Sequence, residues 1–515
     1  MDIAFNARIS LPEPDLIGRN GPVQRDAGSP GVTASEVLLL LRQARVAQAV
    51  WQTLPVAQRL QVVRRFRQRL AEQGAEVAAT LVLPVARDPA MTLAAEIIPL
   101  ADACRFLERR AARLLRPQRG RRADRPLWLK GVDVTLFREP HGVVLVLGTW
   151  NYPLFLPGVQ VVQALVAGNA VLLKPGQGAG SAAVGLQSLL IEAGLDPQLL
   201  QVLPDDEPSG RLAVAAGVDH VLLTGSAATG RRVLSSAAET LTPCTLELSG
   251  CDAVFVQSHA DLQRAAECVA FGLTLNAGAT CIAPRRVFVN SAVANDFERR
   301  LTRILADRPP LQVEPGAATA AALLFGEALA SGAKGLWGRL AGSGPVESSP
   351  CWPLVASDAR PEMRLLQADL FAPVSAIVKV TDDDEALRLN AQCPYALGAV
   401  VFGKEPQASH LAARIDAGCV VINDLIVPTA DPRVPFGGRR ASGYGVTRGA
   451  AGLLNLTRLK AVIRRNGRWL PHLQPARAEL LQGWLQAAHA GRWRCRLAGV
   501  WQFLKEAWKR RQNPE

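Results

Sequence analysis

Gly142-Val143-Val144-Leu145-Val146-Leu147-Gly148 is a continuous apolar run bounded by glycines, the pattern of a strand buried on both faces of a parallel sheet. After it, residues 154–167 are apolar at helical spacing, and Ala170-Val171-Leu172-Leu173-Lys174-Pro175-Gly176 is a second buried strand ending in a lysine and a turn. The alternation continues through helix 181–193, strand 200–203, helix 210–216, strand 220–224 and helix 229–239. Such βαβ units predict an α/β fold with a parallel sheet. Ligands then bind beyond the carboxyl ends of the strands, where Asn151, Lys174 and Gly225 fall.

Upstream, residues 1–30 are rich in Gly, Pro and polar residues without periodicity and read as an arm; 31–116 are helical, divided by Pro55, Pro84 and Pro89. Residues 127–137 read as a hairpin with Gly131 near its turn, and 453–464 alternate like a strand able to pair with it. Downstream, 248–452 form a second α/β region with strands near 286–289, 375–380, 398–402 and 419–422, in which 309–353 carry few structural signals.

The chain has 515 residues, 49% of them hydrophobic, enough for two or three domains. Its nine cysteines form no CxxC pair, which predicts reduced thiols, a cytoplasmic setting and no metal site. The net charge is +13, but about eleven Lys/Arg against about three Asp/Glu lie after residue 463. The body is mildly basic, and no motif accompanies the charge to suggest nucleic acid.

Asn276-Ala277-Gly278-Ala279-Thr280-Cys281-Ile282-Ala283-Pro284 presents one cysteine in a small-residue turn, a geometry suited to a nucleophile under converging N–H groups. Cys244-Thr245-Leu246-Glu247-Leu248 delivers a lone carboxylate inside a strand, costly to bury unless used or paired. Gly225 to Gly230 opens a helix after a strand, where N–H groups can face a pyrophosphate.

These residues, with Gly148-Thr149-Trp150-Asn151-Tyr152-Pro153, Leu173-Lys174-Pro175, Leu223-Thr224-Gly225-Ser226 and Gly230, Phe371-Ala372-Pro373, and Pro435-Phe436-Gly437-Gly438 with Ser442-Gly443, resemble the aldehyde dehydrogenase superfamily in the family's order. Arg138-Glu139-Pro140 and the short N-terminal lead look most like its fatty-aldehyde-type branch. The resemblance implies a Rossmann-type cofactor domain (31–116 and 141–247), a catalytic domain (248–452) and a small β oligomerisation element (117–140 and 453–464) of a homodimer or higher oligomer. It further implies Cys281 as nucleophile, Glu247 as general base and Asn151, with the Cys281 N–H, as oxyanion donor. For NAD or NADP it implies Lys174, Gln177, Gly225, Ser226, Gly230, Asp369 and Phe371. Gln177 stands where many NAD-preferring members have glutamate, so use of NADP is expected too. Asp369 and Ser249 depart from the more common Glu and Gly. The reaction implied is oxidation of an aldehyde to the acid through a cysteine thioester; an acylating, coenzyme A-dependent enzyme and a non-catalytic scaffold are the alternatives.

Tyr152, Phe155 and Val159, at i, i+3 and i+7, either line an apolar substrate entrance, favouring medium or long aliphatic or aromatic aldehydes, or pack in the core. The tail 465–515 holds five of the ten tryptophans. From Trp493 its apolar residues share one helical face among basic residues, which fits peripheral binding to an anionic membrane or a face docked on protein.

Overall fold

The computed structural model describes residues 32–84, 87–338, 351–467, 470–473 and 477–512; the arm expected over 1–30 lies outside them. The chain divides into two compact units, Met1–Pro117 with Phe137–Lys460, and Gln118–Leu136 with Ala461–Glu515.

In the first unit a six-stranded sheet runs in the order Gly443–Tyr444, Cys244–Leu248, His220–Gly225, Val143–Leu147, Ala170–Lys174, Leu200–Val202. Neighbours are parallel except Gly443–Tyr444, which runs against Cys244–Leu248. Val143–Leu147, earliest in the chain, lies between Ala170–Lys174 and His220–Gly225, so the strand order reverses there and a crevice opens at the carboxyl ends. The apolar run dictates this place, because all five of its residues are buried. A second sheet of seven strands follows, in the order Lys334–Trp337, Leu354–Ser357, Val374–Val380, Pro284–Asn290, Asp252–Val256, Gly398–Phe402, Cys419–Ile422, antiparallel only at its first pair.

Helices Ala34–Trp51, Val56–Thr80 and Ile98–Leu114 share a core with the first sheet. The first begins at a capping box, Thr33 Oγ1 accepting from Glu36 N at 3.2 Å while the Glu36 carboxylate accepts from Thr33 N at 2.8 Å. Helix Phe155–Ala167, buried along its whole length, carries Asn151 just before its start. Its position is fixed by a buried ion pair. Glu96 accepts from Arg87 at 2.7 Å and from the N–H groups of Leu154 and Phe155 at 3.1 and 2.7 Å, and Arg87 also donates to the Asn151 carbonyl at 2.9 Å. Burial pushes the Glu96 carboxyl up, and Arg87 with the two N–H groups opposes it.

The second unit corrects one expectation. Residues 127–137 form no hairpin: Leu127–Leu129 is a 3-10 turn and Val132–Pro140 a single long strand. Its partners come from elsewhere, Gln118–Arg119 opposite Leu136 and Thr135, and Thr457–Arg465 on the other side. Gly131, at φ 90°, is small for another reason, since a Cβ there would meet the Asn466 carbonyl at 2.7 Å. The tail forms two helices, Ala478–His489 and Trp493–Gln512, of which the sequence reading found only the second.

Glu96→Ala would leave Arg87 charged and unpaired in the interior, a loss of about 3–5 kcal/mol. The midpoint of thermal unfolding should fall clearly; an unchanged midpoint would mean the pair does not secure this helix.

Candidate active site

The cysteine turn is built from backbone that few residues tolerate. Helix Leu262–Thr274 gives way to a 3-10 turn, Leu275–Gly278, in which Asn276 and Ala277 both take φ 53° and Gly278 takes φ 79°. A Cβ on Gly278 would lie 2.3 Å from the Pro373 nitrogen, so only glycine fits. Buried Arg285 ties the turn to the Phe371-Ala372-Pro373 segment by donating to the carbonyls of Gly278 and Ala372. The Asn276 amide donates to the carbonyls of Asn151 and Ala279 at 3.0 and 3.1 Å. Asn151 completes the arrangement: its side-chain oxygen accepts from Thr149 Oγ1 at 2.5 Å, and its Nδ2 donates to the Ala279 carbonyl at 2.9 Å. One hydrogen of that NH2 group remains for another acceptor.

A cleft of about 990 Å³ lies at the carboxyl ends of the first sheet's strands. It brings together Cys281, Glu247, Asn151, Lys174, Gly225, Ser226, Asp369 and Phe371. Gly230 is not on the cleft wall; a Cβ there would press on Leu248 Cδ1 at 2.8 Å, so it serves close packing of helix on strand. Gln177 is exposed and also off the wall. Tyr152 donates to or accepts from Thr280 Oγ1 at 2.8 Å, while Phe155 and Val159 border a separate space of about 10 Å³ with Phe106, Gln163 and Arg448.

Electrostatics at the thiol are adverse. Burial first, then the negative charges of Glu247 and Asp252, pushes the Cys281 thiol well up, and Arg448 opposes this. Burial likewise raises the Glu247 carboxyl, against Arg448 and the hydrogen bond from Thr447 Oγ1 to Oε2 at 2.6 Å. Glu247 Oε1 is buried with no partner. Arg448 was missed in the sequence. Its guanidinium donates to the Thr429 carbonyl at 3.0 Å and lies 4.1 Å from the Phe436 ring and 5.6 Å from the Phe155 ring, with Nε buried and unpaired. A signal existed: an arginine following Gly443-Tyr444-Gly445 belongs to no helical solvent face.

The cleft suits a nicotinamide dinucleotide. Asp369 Oδ1 is buried without a partner and can accept from a ribose hydroxyl, while the Ser249 hydroxyl donates to Oδ2. The two departures from the family pattern thus meet. Helix Ala227–Ala238 begins at Ser226, which caps it by accepting from Thr229 N at 3.1 Å, and its free N–H groups suit a pyrophosphate. Lys174 sits near Asp205, Asp206 and Glu207, and Glu207 pairs with Arg232 at 2.9 Å on the same wall. Among the described residues no His/Cys/Asp/Glu group suits a metal ion.

Residues 26–462 match the model of the aldehyde dehydrogenase family. The chain belongs to the aldehyde dehydrogenase family. It is 30% identical over 432 residues, 81% of this chain and 79% of the relative, to the 4,4'-diapolycopene aldehyde oxidase of Methylomonas sp.. It is 31% identical over 446 residues, 84% of each chain, to a Mycobacterium ulcerans protein provisionally named an NADP-dependent succinate-semialdehyde dehydrogenase. The Mycobacterium tuberculosis aldehyde dehydrogenase complexed with NAD+ superposes with a TM-score of 0.79 at 25% identity, over 86% of this chain and 92% of that one. The protein is an NAD(P)-dependent aldehyde dehydrogenase.

Arg448 is the cation that opposes both upward shifts, so Arg448→Met should raise the pH at which Cys281 becomes reactive. At fixed neutral pH, alkylation of Cys281 by iodoacetamide should slow roughly tenfold or more, with Arg448→Lys intermediate. An unchanged pH profile would remove Arg448 from the electrostatics of the site.

Proposed function

We propose that this aldehyde dehydrogenase oxidises apolar aldehydes of medium or long chain, or aromatic ones, to carboxylic acids through a thioester on Cys281. The observation that carries the mechanism is the convergence of Cys281, Glu247 and Asn151 on one wall, with an unpartnered Glu247 oxygen. The Cys281 thiolate adds to the carbonyl carbon, and the oxyanion accepts from the free Asn151 amide hydrogen and the Cys281 N–H. A nicotinamide dinucleotide held in the cleft by Lys174, Ser226 and Asp369 would supply the two-electron hydride acceptor that the passage from adduct to thioester requires. Glu247 then takes a proton from water as its oxygen attacks the thioester, and the acid leaves as the thiolate reforms. A carboxylate so placed supports hydrolysis over transfer to coenzyme A.

For the substrate, support comes from the apolar side chains of Phe106, Phe155, Val159, Ala430 and Pro432 beyond the Asn151 helix start, whose space of about 10 Å³ would have to open to admit an aldehyde chain. The Methylomonas relative, named for a diapolycopene aldehyde, points the same way. A second reading is favoured by one observation: Arg448, whose Nε is unpaired, borders that space and would suit the carboxylate of a short semialdehyde once the space opens. For cofactor choice, Gln177 leaves the 2′ position without its usual carboxylate, and Lys174, Arg211 and Arg232 offer positive charge for a 2′-phosphate. The acidic turn 205–207 suits a free hydroxyl, which is consistent with use of both NAD and NADP. Other partners proposed are a second copy of the chain, at the outer strand Thr457–Arg465 with its exposed Leu459, Val462 and Ile463, and an anionic membrane touched peripherally by the tail.

Cys281→Ala should abolish NADH formation without weakening NAD binding, whereas Glu247→Gln should release about one equivalent of NADH per site and then turn over slowly. Substantial steady-state activity in Cys281→Ala would overturn the mechanism. Across a panel of aldehydes, kcat/KM should rise with apolar chain length; a preference for succinate semialdehyde would establish the second reading instead.

A further inference from the structure

The two tail helices pack in an unusual sense. Gly483 and Gly499 meet at their crossing: a Cβ on Gly483 would lie 2.7 Å from Phe503 N, and one on Gly499 2.5 Å from Ala487 N. The hairpin is further held by the Trp484–Phe503 ring pair at 5.5 Å and by Gln502 donating to the Glu479 carbonyl at 3.0 Å, and Arg496 donates to the Ala490 carbonyl at its turn. Helix Trp493–Gln512 therefore turns Gly499, Gln502 and Phe503 toward its partner. Its opposite side carries Trp493, Leu497, Val500, Trp501, Leu504 and Trp508, with Trp493 66% and Trp501 70% exposed, and Leu481 and Leu485 of the other helix are 54% exposed.

A helix pair stabilised by water would bury its large apolar side chains between its members. This one brings glycine backbones together and turns most of its tryptophan and leucine outward. Close packing through small residues, with bulky ones facing out, suits helices whose surroundings are themselves apolar. Neither helix is long and apolar enough to cross a membrane. The stripe is bordered by exposed Arg492, Arg494, Arg496 and Lys505, with Arg494 and Lys505 lying over the rings of Trp493 and Trp501 at 5.5 and 5.6 Å. Pairing this face with a second copy would bring cations against cations, whereas anionic headgroups complement them.

We propose that residues 478–512 form a preassembled helical hairpin that lies in the interface of an anionic lipid bilayer, inserting Leu497, Val500 and Leu504 below the headgroups with Trp493, Trp501 and Trp508 seated among them. This deepens the reading of an enzyme for apolar aldehydes, because such substrates partition into lipid. Tryptophan seats at the headgroup level, and the flanking cations each add roughly a fivefold preference for an anionic surface. Because the hairpin is already formed, little ordering is left to occur on binding.

The test uses the full-length enzyme and unilamellar vesicles of phosphatidylcholine with or without phosphatidylglycerol, read by co-sedimentation and by tryptophan emission. Binding should be at least tenfold stronger with phosphatidylglycerol, weaken in high salt and shift the emission to the blue. Leu497→Glu/Trp501→Glu should lose at least tenfold in binding while keeping full activity on a water-soluble aldehyde. Arg494→Glu/Lys505→Glu should lose mainly the preference for phosphatidylglycerol. Failure of the native enzyme to bind, or equal binding by the Leu497/Trp501 variant, overturns the proposal. If that variant instead dissociates a dimer in sedimentation velocity, the face is a subunit contact and the proposal is wrong. Activity on the soluble aldehyde is measured in parallel, so a failed catalytic reading appears as missing NADH with vesicle binding intact.

Discussion

A thiol that works away from water must still become charged, and burial opposes that charge. In this aldehyde dehydrogenase Cys281, half-buried on the cleft wall, lies near the acids Glu247 and Asp252, each of which makes a thiolate harder to form. Arg448 is the compensation within the chain. It is wedged on the rings of Phe436 and Phe155 and follows the threonine that holds Glu247. The same cation favours ionised Glu247, so the proposed nucleophile and the proposed base depend on one buried charge. The backbone of Arg448, at φ 60°, is held in a region that non-glycine residues avoid, and its surroundings must supply that restraint.

The second requirement is position. Asn151 and the Cys281 turn come from different sheets, and their register is set by buried polar contacts. Asn151 and Asn276 both donate to the Ala279 carbonyl, Arg285 holds the turn to 372, and the Arg87–Glu96 pair fixes the start of the helix that follows Asn151. Losing one partner of such a set leaves the other desolvated and unpaired, which costs more than the bond itself contributes. The geometry is therefore stiff, as a site needing sub-ångström placement must be. Asp369 and Ser249 illustrate the same economy: the shorter carboxylate is met by a hydroxyl where glycine is common.

Much of this was legible from residues. Strands buried on both faces must be apolar runs, so 142–148 and 170–174 declared both the sheet and the end at which a ligand binds. What escaped was long-range pairing of charge. In sequence, Arg87, Glu96 and Arg448 look like many other charged residues, most of which are solvated, and only three-dimensional structure tells that these are buried. The strand 132–140 was misread as half of a hairpin because Gly131 looks like a turn glycine, although its smallness serves a backbone approach from 466. In the tail, the apolar stripe after Trp493 was visible at helical spacing, but Gly483 and Gly499 gave no sign that two helices cross there.

The central claim is a covalent acyl enzyme on Cys281 that Glu247 discharges. Intact-protein and peptide mass spectrometry of Glu247→Gln, quenched after mixing with NAD and a medium-chain aldehyde, tests it directly. The account predicts one added acyl group, two hydrogens lighter than the adduct of the aldehyde itself, located on Cys281 and stable until a nucleophile is added. An unmodified Cys281 in enzyme that has formed NADH, or an acyl group on another residue, would contradict it.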